Sequence, residues 1–253
     1  MPQPYILKKS LGQHFLKDEA VCQKIVAQIP PSTLQLLEVG PGGGALTKYL
    51  LAHSEWRFRA FEFDIEKVDY LLRQFPEIED KISQQDFLKS EPPFDGNFTV
   101  VGNFPYNISG PILFKILEWE PQVDAVIGMF QKEVARRVAA PPGNKEYGIL
   151  SVLLQAFYKI DYLFDVPPGC FIPPPKVVSG VIKLSRSDNP YQINNRAKFK
   201  LLIKTAFNQR RKTLRNALKS IIDLEKLPAG FAQKRAEQLS VAEFVQLHKI
   251  FFE

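Results

Sequence analysis

The chain has 253 residues, of which 45% are hydrophobic and 24% charged, with a formal net charge of +6. That length holds one sizeable α/β domain and a smaller partner, and the composition is that of an ordinary soluble globular protein. It excludes a membrane span, because no apolar run approaches the roughly 20 residues needed to cross a bilayer. The N-terminus, MPQPYILKKSLGQHF, has no apolar stretch after its lysines and does not read as a signal peptide. Cys22 and Cys170 lie far apart, match no metal spacing, and fit unpaired thiols in a reducing cytoplasm.

From about residue 18 to 185, helical and strand patterns alternate as in a βαβ array. The segment 18–29 places Val21, Ile25, Val26 and Ile29 on one helical face, and Pro30-Pro31 stops it. LQLLEV (34–39) is a short apolar run ending in glycines, as expected of a buried parallel strand. A helix over 45–53, a strand over 57–63 and a helix over 65–75 follow. KISQQD, FTVVGNF and VDAVIGMF read as further strands, ISGPILFKILEW and QKEVARRVAA as helices, and YLFDV and SGVIKL as a strand pair flanking PPGCFIPPPKV. RSDNPYQINN (186–195) has linker composition, which predicts a domain boundary near 188/189.

Beyond it the pattern is purely helical. Residues 191–222 hold nine Lys and Arg and no Asp or Glu, so with a total of +6 the rest of the chain carries −3. RAKFKLLIKTAFNQRRKTLRNALKSII reads as one basic helix, PAGFAQKRAEQL as a second, and Ser240 with Glu243 forms a capping box opening a third. The basic face, with Lys204, Arg210, Arg211, Lys212 and Arg215, is a candidate footprint for RNA phosphates; a solvated helix face is the alternative.

Chemistry concentrates at four strand ends. Gly40-Pro41-Gly42-Gly43-Gly44 lets the backbone turn sharply and approach a ligand, and Gly40 and Gly42 are the candidate contacts. Glu62 lies 22 residues after Gly40 at a strand end, where a carboxylate can accept both ribose hydroxyl hydrogens. Asp64 reads as the cap of the next helix. Asp86 ends the following strand, as an acceptor for an adenine amino group or as a turn cap. These features point to a nucleoside cofactor but do not separate NAD from S-adenosylmethionine.

Asn103-Phe104-Pro105-Tyr106 separates them. The lone pair of an exocyclic amine is delocalised into its ring. An Asn oxygen and a backbone carbonyl before the kink at Pro105 can accept both N–H groups and favour a pyramidal nitrogen. Tyr106 offers a stacking face for a flipped base. The expected reaction is methylation of a base amino group by positioning and electrostatics. His14, His53 and His248 are scattered, and no metal site is expected.

These motifs together resemble those of the ribosomal RNA adenine N6,N6-dimethyltransferases, in particular the bacterial small-subunit branch. SLGQHFL (10–16), EVGPGGGALT (38–47), EFD (62–64), QQD (84–86), GNFPYNIS (102–109), QKEVARR (131–137), YGILSVLLQ (147–155), FIPPPKVVS (171–179) and AFNQRRKTLRN (206–216) carry the resemblance. It implies an α/β fold, a Rossmann-like class I methyltransferase domain (1–188) with a smaller all-α C-terminal domain (189–253). It implies S-adenosylmethionine as methyl donor, held by His14, Leu16, Gly40, Glu62, Asp86 and Asn103. It makes Asn103 and Tyr106 the groups that orient and stack the adenine, and Phe171 a second aromatic clamp. An N-terminal lid would carry Gln13 to Leu16, with Lys8, Lys9 and Lys17 near RNA. The implied substrate is a pair of adjacent adenosines in the 3′-terminal hairpin of 16S rRNA, methylated by a cytoplasmic monomer that also serves small-subunit biogenesis. Phe104 stands where many members have Leu, and His14 where some have Asn. The sister family that dimethylates 23S rRNA, a non-catalytic assembly factor and an NAD-dependent oxidoreductase are the competing readings.

Overall fold

The structure, a computed structural model, describes residues 14–253. Lys8, Lys9 and Gln13 of the expected lid lie outside the described residues. By the density of contacts the chain divides into two compact units. The first runs through Ala135 and resumes at Asp161–Arg186; the second takes Arg136–Ile160 and Ser187–Glu253.

In the first unit, β1 (Phe15–Leu16) leads into α1 (Glu19–Val26), which Asp18 caps by accepting from the Val21 N–H. There follow β2 (Gln35–Val39), α2 (Thr47–Leu50), β3 (Arg57–Glu62), α3 (Ile65–Gln74), β4 (Ile82–Gln84), β5 (Phe98–Asn103), α4 (Ser109–Glu118), β6 (Val123–Gln131) and the start of α5 (Lys132–Ala139), which from Arg136 belongs to the second unit. The helix expected over 45–53 is only α2, because Gly44 adopts φ +80 and the segment after Leu50 closes with Ala52 N–H to Tyr49 O and His53 N–H to Leu50 O bonds. Asp64 caps α3 as expected, accepting from the Glu66 N–H.

After α6 (Ile149–Gln155), the chain forms β7 (Tyr158–Val166), β8 (Phe171–Ile172) and β9 (Ser179–Arg186). The main sheet has the order β4-β3-β2-β5-β6-β9-β7, and β8 pairs with β1 separately. Strands β4 to β6 run parallel to their neighbours, and β9 is antiparallel to β6. β2, β5 and β6 are almost wholly buried, which is why they read as continuous apolar runs rather than as alternating ones. This Rossmann-like sheet is the expected α/β fold.

The second unit contains α6, α7 (Arg196–Asn208), α8 (Leu214–Leu218), α9 (Ala229–Ala232) and α10 (Val241–Phe252). A single cut near 188/189 is therefore corrected, since residues 136–160 cluster with the C-terminal helices. The reason is apolar. Val152, Leu153 and Leu154 of α6 are buried and the helix packs on α7, while Tyr147 sits edge-on to Phe207 at 6.1 Å. The long basic helix also breaks. α7 ends at Asn208, a turn closed by Lys212 N–H to Gln209 O carries Arg210 to Lys212, and Thr213 in extended conformation starts α8. The predicted helix over PAGFAQKRAEQL is likewise only α9 and a later single turn at Ala236–Gln238. The capping box is present: Ser240 Oγ accepts from Glu243 N–H at 3.2 Å and Glu243 Oε2 from Ser240 N–H at 2.8 Å.

Candidate active site

In the sheet order, the chain builds outward from β2 to β3 and β4, then crosses back to β5 and β6 on the other side. The loops after β2 and β5 consequently part, and a crevice opens at their carboxyl ends. A cavity of about 100 Å³ lies there, walled by Gly40, Pro41 and Gly42 after β2, Glu62 at the end of β3, Asn103 to Tyr106 after β5, and His14 to Leu16. Glu38 and Lys67 complete it.

Gly40 has φ +68, and apart from its chain neighbours no atom of the described residues lies within 4 Å of where its Cβ would be, so these residues leave open space over its backbone. Gly44 is required for a different reason: its Cβ would meet Phe75 Cε2 at 2.5 Å. Glu62 is buried, and its two oxygens are anchored by backbone: Gly42 N–H donates to Oε2 and Asp64 N–H to Oε1, each at 3.0 Å. Lys67 of α3, also buried, brings Nζ to 4.0 Å from Glu62 Oε1. Glu38 accepts from Thr47 Oγ1 at 2.7 Å. Burial pushes its carboxyl up to about 8, against the Thr47 hydrogen bond and with help from the Glu62 charge.

At the end of β5, Asn103 Nδ2 donates to the His14 carbonyl at 3.4 Å. That leaves Oδ1 as the side-chain atom able to accept from an amino group. The Pro105 carbonyl already accepts from Ile108 N–H and Ser109 Oγ, so the backbone acceptor beside Asn103 is the Phe104 carbonyl before the kink. Tyr106 is half-buried, its hydroxyl 2.5 Å from Ser179 Oγ, and its ring lines the cavity. Burial raises its phenol, opposed by Ser179. The His14 ring stacks on it with centroids 5.9 Å apart. His14 Nδ1 lies 2.8 Å from the Pro173 carbonyl, which can only accept, so Nδ1 donates to it.

Of the residues singled out in the sequence, the cavity thus gathers His14, Leu16, Gly40, Gly42, Glu62, Asn103, Pro105 and Tyr106. It does not gather Asp86 or Phe171. Asp86 accepts from Leu88 N–H at 3.0 Å, capping a single turn, and lies 3.9 Å from Lys89 Nζ. Phe171 pairs with Leu16 through β8 and is 1% exposed within the apolar core. Cys22 and Cys170 are free and buried.

In the second unit, Lys204, Arg211, Lys212 and Arg215 are exposed. Arg210 is not an open cation: it donates to the Lys145 carbonyl at 2.6 Å and lies 3.8 Å from Glu237. Sequence reading missed Glu38 and Lys67. The only hint of Lys67 was a cation beside the buried Val68 and Leu71 of α3.

The model of the ribosomal RNA adenine dimethylase family matches residues 6–252 of this chain. The chain is 49% identical over 245 residues to ribosomal RNA small subunit methyltransferase A of Cytophaga hutchinsonii, covering 95% of each. It is 47% identical over 252 residues to the protein of that name in Porphyromonas gingivalis, again covering 95% of each. A dimethyladenosine transferase from Plasmodium falciparum superposes with a TM-score of 0.77 at 26% identity, over 92% of this chain and 96% of that one. The 23S rRNA methyltransferase ErmE has the same fold, with a TM-score of 0.73 at 22% identity over 94% of this chain and 100% of that one. The chain belongs to the ribosomal RNA adenine dimethylase family.

Proposed function

We propose that this rRNA adenine dimethyltransferase converts two adjacent adenosines in the 3′-terminal hairpin of 16S rRNA to their N6,N6-dimethyl forms, acting on the small subunit or its precursor. The observation that carries the reading is Asn103 at the cavity edge, its Nδ2 donating to the His14 carbonyl so that Oδ1 is left to accept, with Phe104, Pro105 and Tyr106 lining the same cavity. Oδ1 and the Phe104 carbonyl accept the hydrogens of an adenine amino group. Drawing on the nitrogen from both, they favour the pyramidal geometry that exposes its lone pair. Tyr106, tethered through Ser179, supplies the stacking surface.

The open backbone at Gly40 and the anchored carboxylate of Glu62 fit S-adenosylmethionine. Glu62, Gly40, Gly42, His14, Leu16 and Asn103 would hold it, with Asp86 at the adenine end. It supplies an electrophilic methyl group.

The exposed cations Lys204, Arg211, Lys212 and Arg215 neutralise RNA phosphates, and Arg210 braces the turn that presents them. The small-subunit target is supported by the 47–49% identity to small-subunit enzymes, against 22% to the 23S enzyme. Among the described residues no helix is long and apolar enough to cross a membrane. A cytoplasmic monomer that also assists small-subunit maturation completes the proposal. The test is incubation with labelled S-adenosylmethionine and each ribosomal subunit lacking the modification, followed by mapping of modified nucleosides. Label in paired adenosines of 16S rRNA is the expected result. Label confined to 23S rRNA, or none at all, would overturn it.

A further inference from the structure

Lys67 has no part in the reading above, yet it occupies an unusual place. It is the third residue of α3, on the face that buries Val68 and Leu71, and it is 9% exposed. Lysine is almost never buried this far without a specific electrostatic partner. Its Nζ lies 4.0 Å from Glu62 Oε1, an ion-pair separation too long for a hydrogen bond. Its side chain lines the cavity alongside Glu62 and Gly40.

Glu62 does not need Lys67 to hold its position. Gly42 N–H and Asp64 N–H already fix one oxygen each at 3.0 Å. The pair differs in chemical capacity. A carboxylate only accepts, and an ammonium only donates. A sugar hydroxyl does both, so a carboxylate and an ammonium close together can engage its hydrogen and its oxygen at once.

We propose that Lys67 is a further binding residue for the methyl donor, its ammonium donating to the oxygen of the ribose hydroxyl whose hydrogen Glu62 accepts. The inference rests on the S-adenosylmethionine reading of this cavity. Lys67 and Glu62 would then recognise the hydroxyl jointly, and a cofactor lacking it would lose both contacts.

The test is calorimetric binding of S-adenosylhomocysteine and its 2′-deoxy and 3′-deoxy counterparts to the wild type, Lys67→Met and Lys67→Arg. Wild type should bind the parent ligand and lose about tenfold or more in affinity when the shared hydroxyl is absent, the scale of a charge-assisted hydrogen bond. Lys67→Met should weaken the parent by about tenfold. It should also collapse the penalty for one deoxy ligand while leaving the other penalty unchanged. Lys67→Arg, which keeps the charge and folds if Lys67→Met does not, should retain a measurable penalty at that hydroxyl. Unchanged penalties at both positions in Lys67→Met overturn the proposal. So does equal shrinkage of both, which would assign the effect to Glu62 alone. If Lys67→Met does not fold, Lys67→Leu replaces it in the same titrations, and penalties identical to wild type at both positions overturn the proposal. Failure of folded wild type to bind S-adenosylhomocysteine at all would sink the donor reading itself, a result distinct from any change in ratios.

Discussion

Phe104 stacks on Phe130 with ring centroids 4.9 Å apart and planes inclined by 25°. Two glycines make room for this pair. A Cβ on Gly128 would lie 2.5 Å from Phe130 Cε2 and 2.8 Å from Phe104 Cε2, and one on Gly102 would lie 2.9 Å from Phe104 Cε1. Gly102 and Gly128 are themselves opposite each other across β5 and β6. The residue between Asn103 and Pro105 is therefore seated by the sheet beneath it, and the orientation of the Phe104 carbonyl follows from that seat.

Gly128→Ala should destabilise the fold by about 1–3 kcal/mol through overpacking. Phe104→Leu should cost about 1–2 kcal/mol alone. In the double variant the two losses should sum to more than the measured destabilisation, because the smaller side chain vacates part of the space the methyl needs. Urea unfolding of the four proteins measures this, and strict additivity would refute the coupling.

Asn103→Ala removes one of the two amino-group acceptors. Methyl transfer should fall about 100-fold or more, the scale seen when a preorganised transition-state partner is deleted. The fold and S-adenosylhomocysteine affinity should be kept to within about tenfold, since Asn103 is one contact among several. Single-turnover rates with saturating RNA, beside calorimetric titration, separate the two effects. Unchanged turnover would remove Asn103 from the chemistry.

Stability should depend on pH through Glu38. Its folded carboxyl is raised from 4.5 to about 8, so the native state holds a proton that the unfolded chain has released. The sign follows directly: Glu38 costs nothing below pH 4.5, and the fold loses stability progressively as pH rises from there to about 8. Glu38→Gln should flatten this decline and raise the melting temperature at pH 8.5. His248 acts oppositely. Burial lowers it from 6.5, against the carboxylate of Glu253 at 3.6 Å, so its contribution is intact above 6.5 and is lost as pH falls below that. His248→Leu should remove the acid-side loss. Thermal melts of wild type and both variants from pH 5 to 9 check both signs.

The exposed cations of the second unit should act through salt-dependent RNA binding. Replacing Arg211, Lys212 and Arg215 by Ala should weaken binding and reduce the slope of log K against log salt by about 2–3, at roughly 0.7–0.9 per phosphate contact. Arg210→Ala should instead lower thermal stability, because it frees the Lys145 carbonyl and Glu237. Filter binding at several salt concentrations, with melts in parallel, distinguishes the roles.

The amino-acid sequence by itself determined the strand-ending motifs and their chemistry. Glycines after β2, an acid ending β3 and Asn-Phe-Pro-Tyr after β5 were legible because each depends on local backbone requirements and side-chain type. The parallel strands were legible because burial on both faces writes itself as an apolar run. Only the tertiary structure decided which residues share a wall. Lys67 reaches Glu62 because α3 folds back along β3, and Glu38 becomes a raised carboxyl only once the sheet excludes water around it. That Phe171 pairs with Leu16 and lies in the core is likewise visible only in the tertiary structure. Residues 136–160 join the C-terminal helices for the same reason. Burial and long-range contact depend on which surfaces meet, and local periodicity does not encode that.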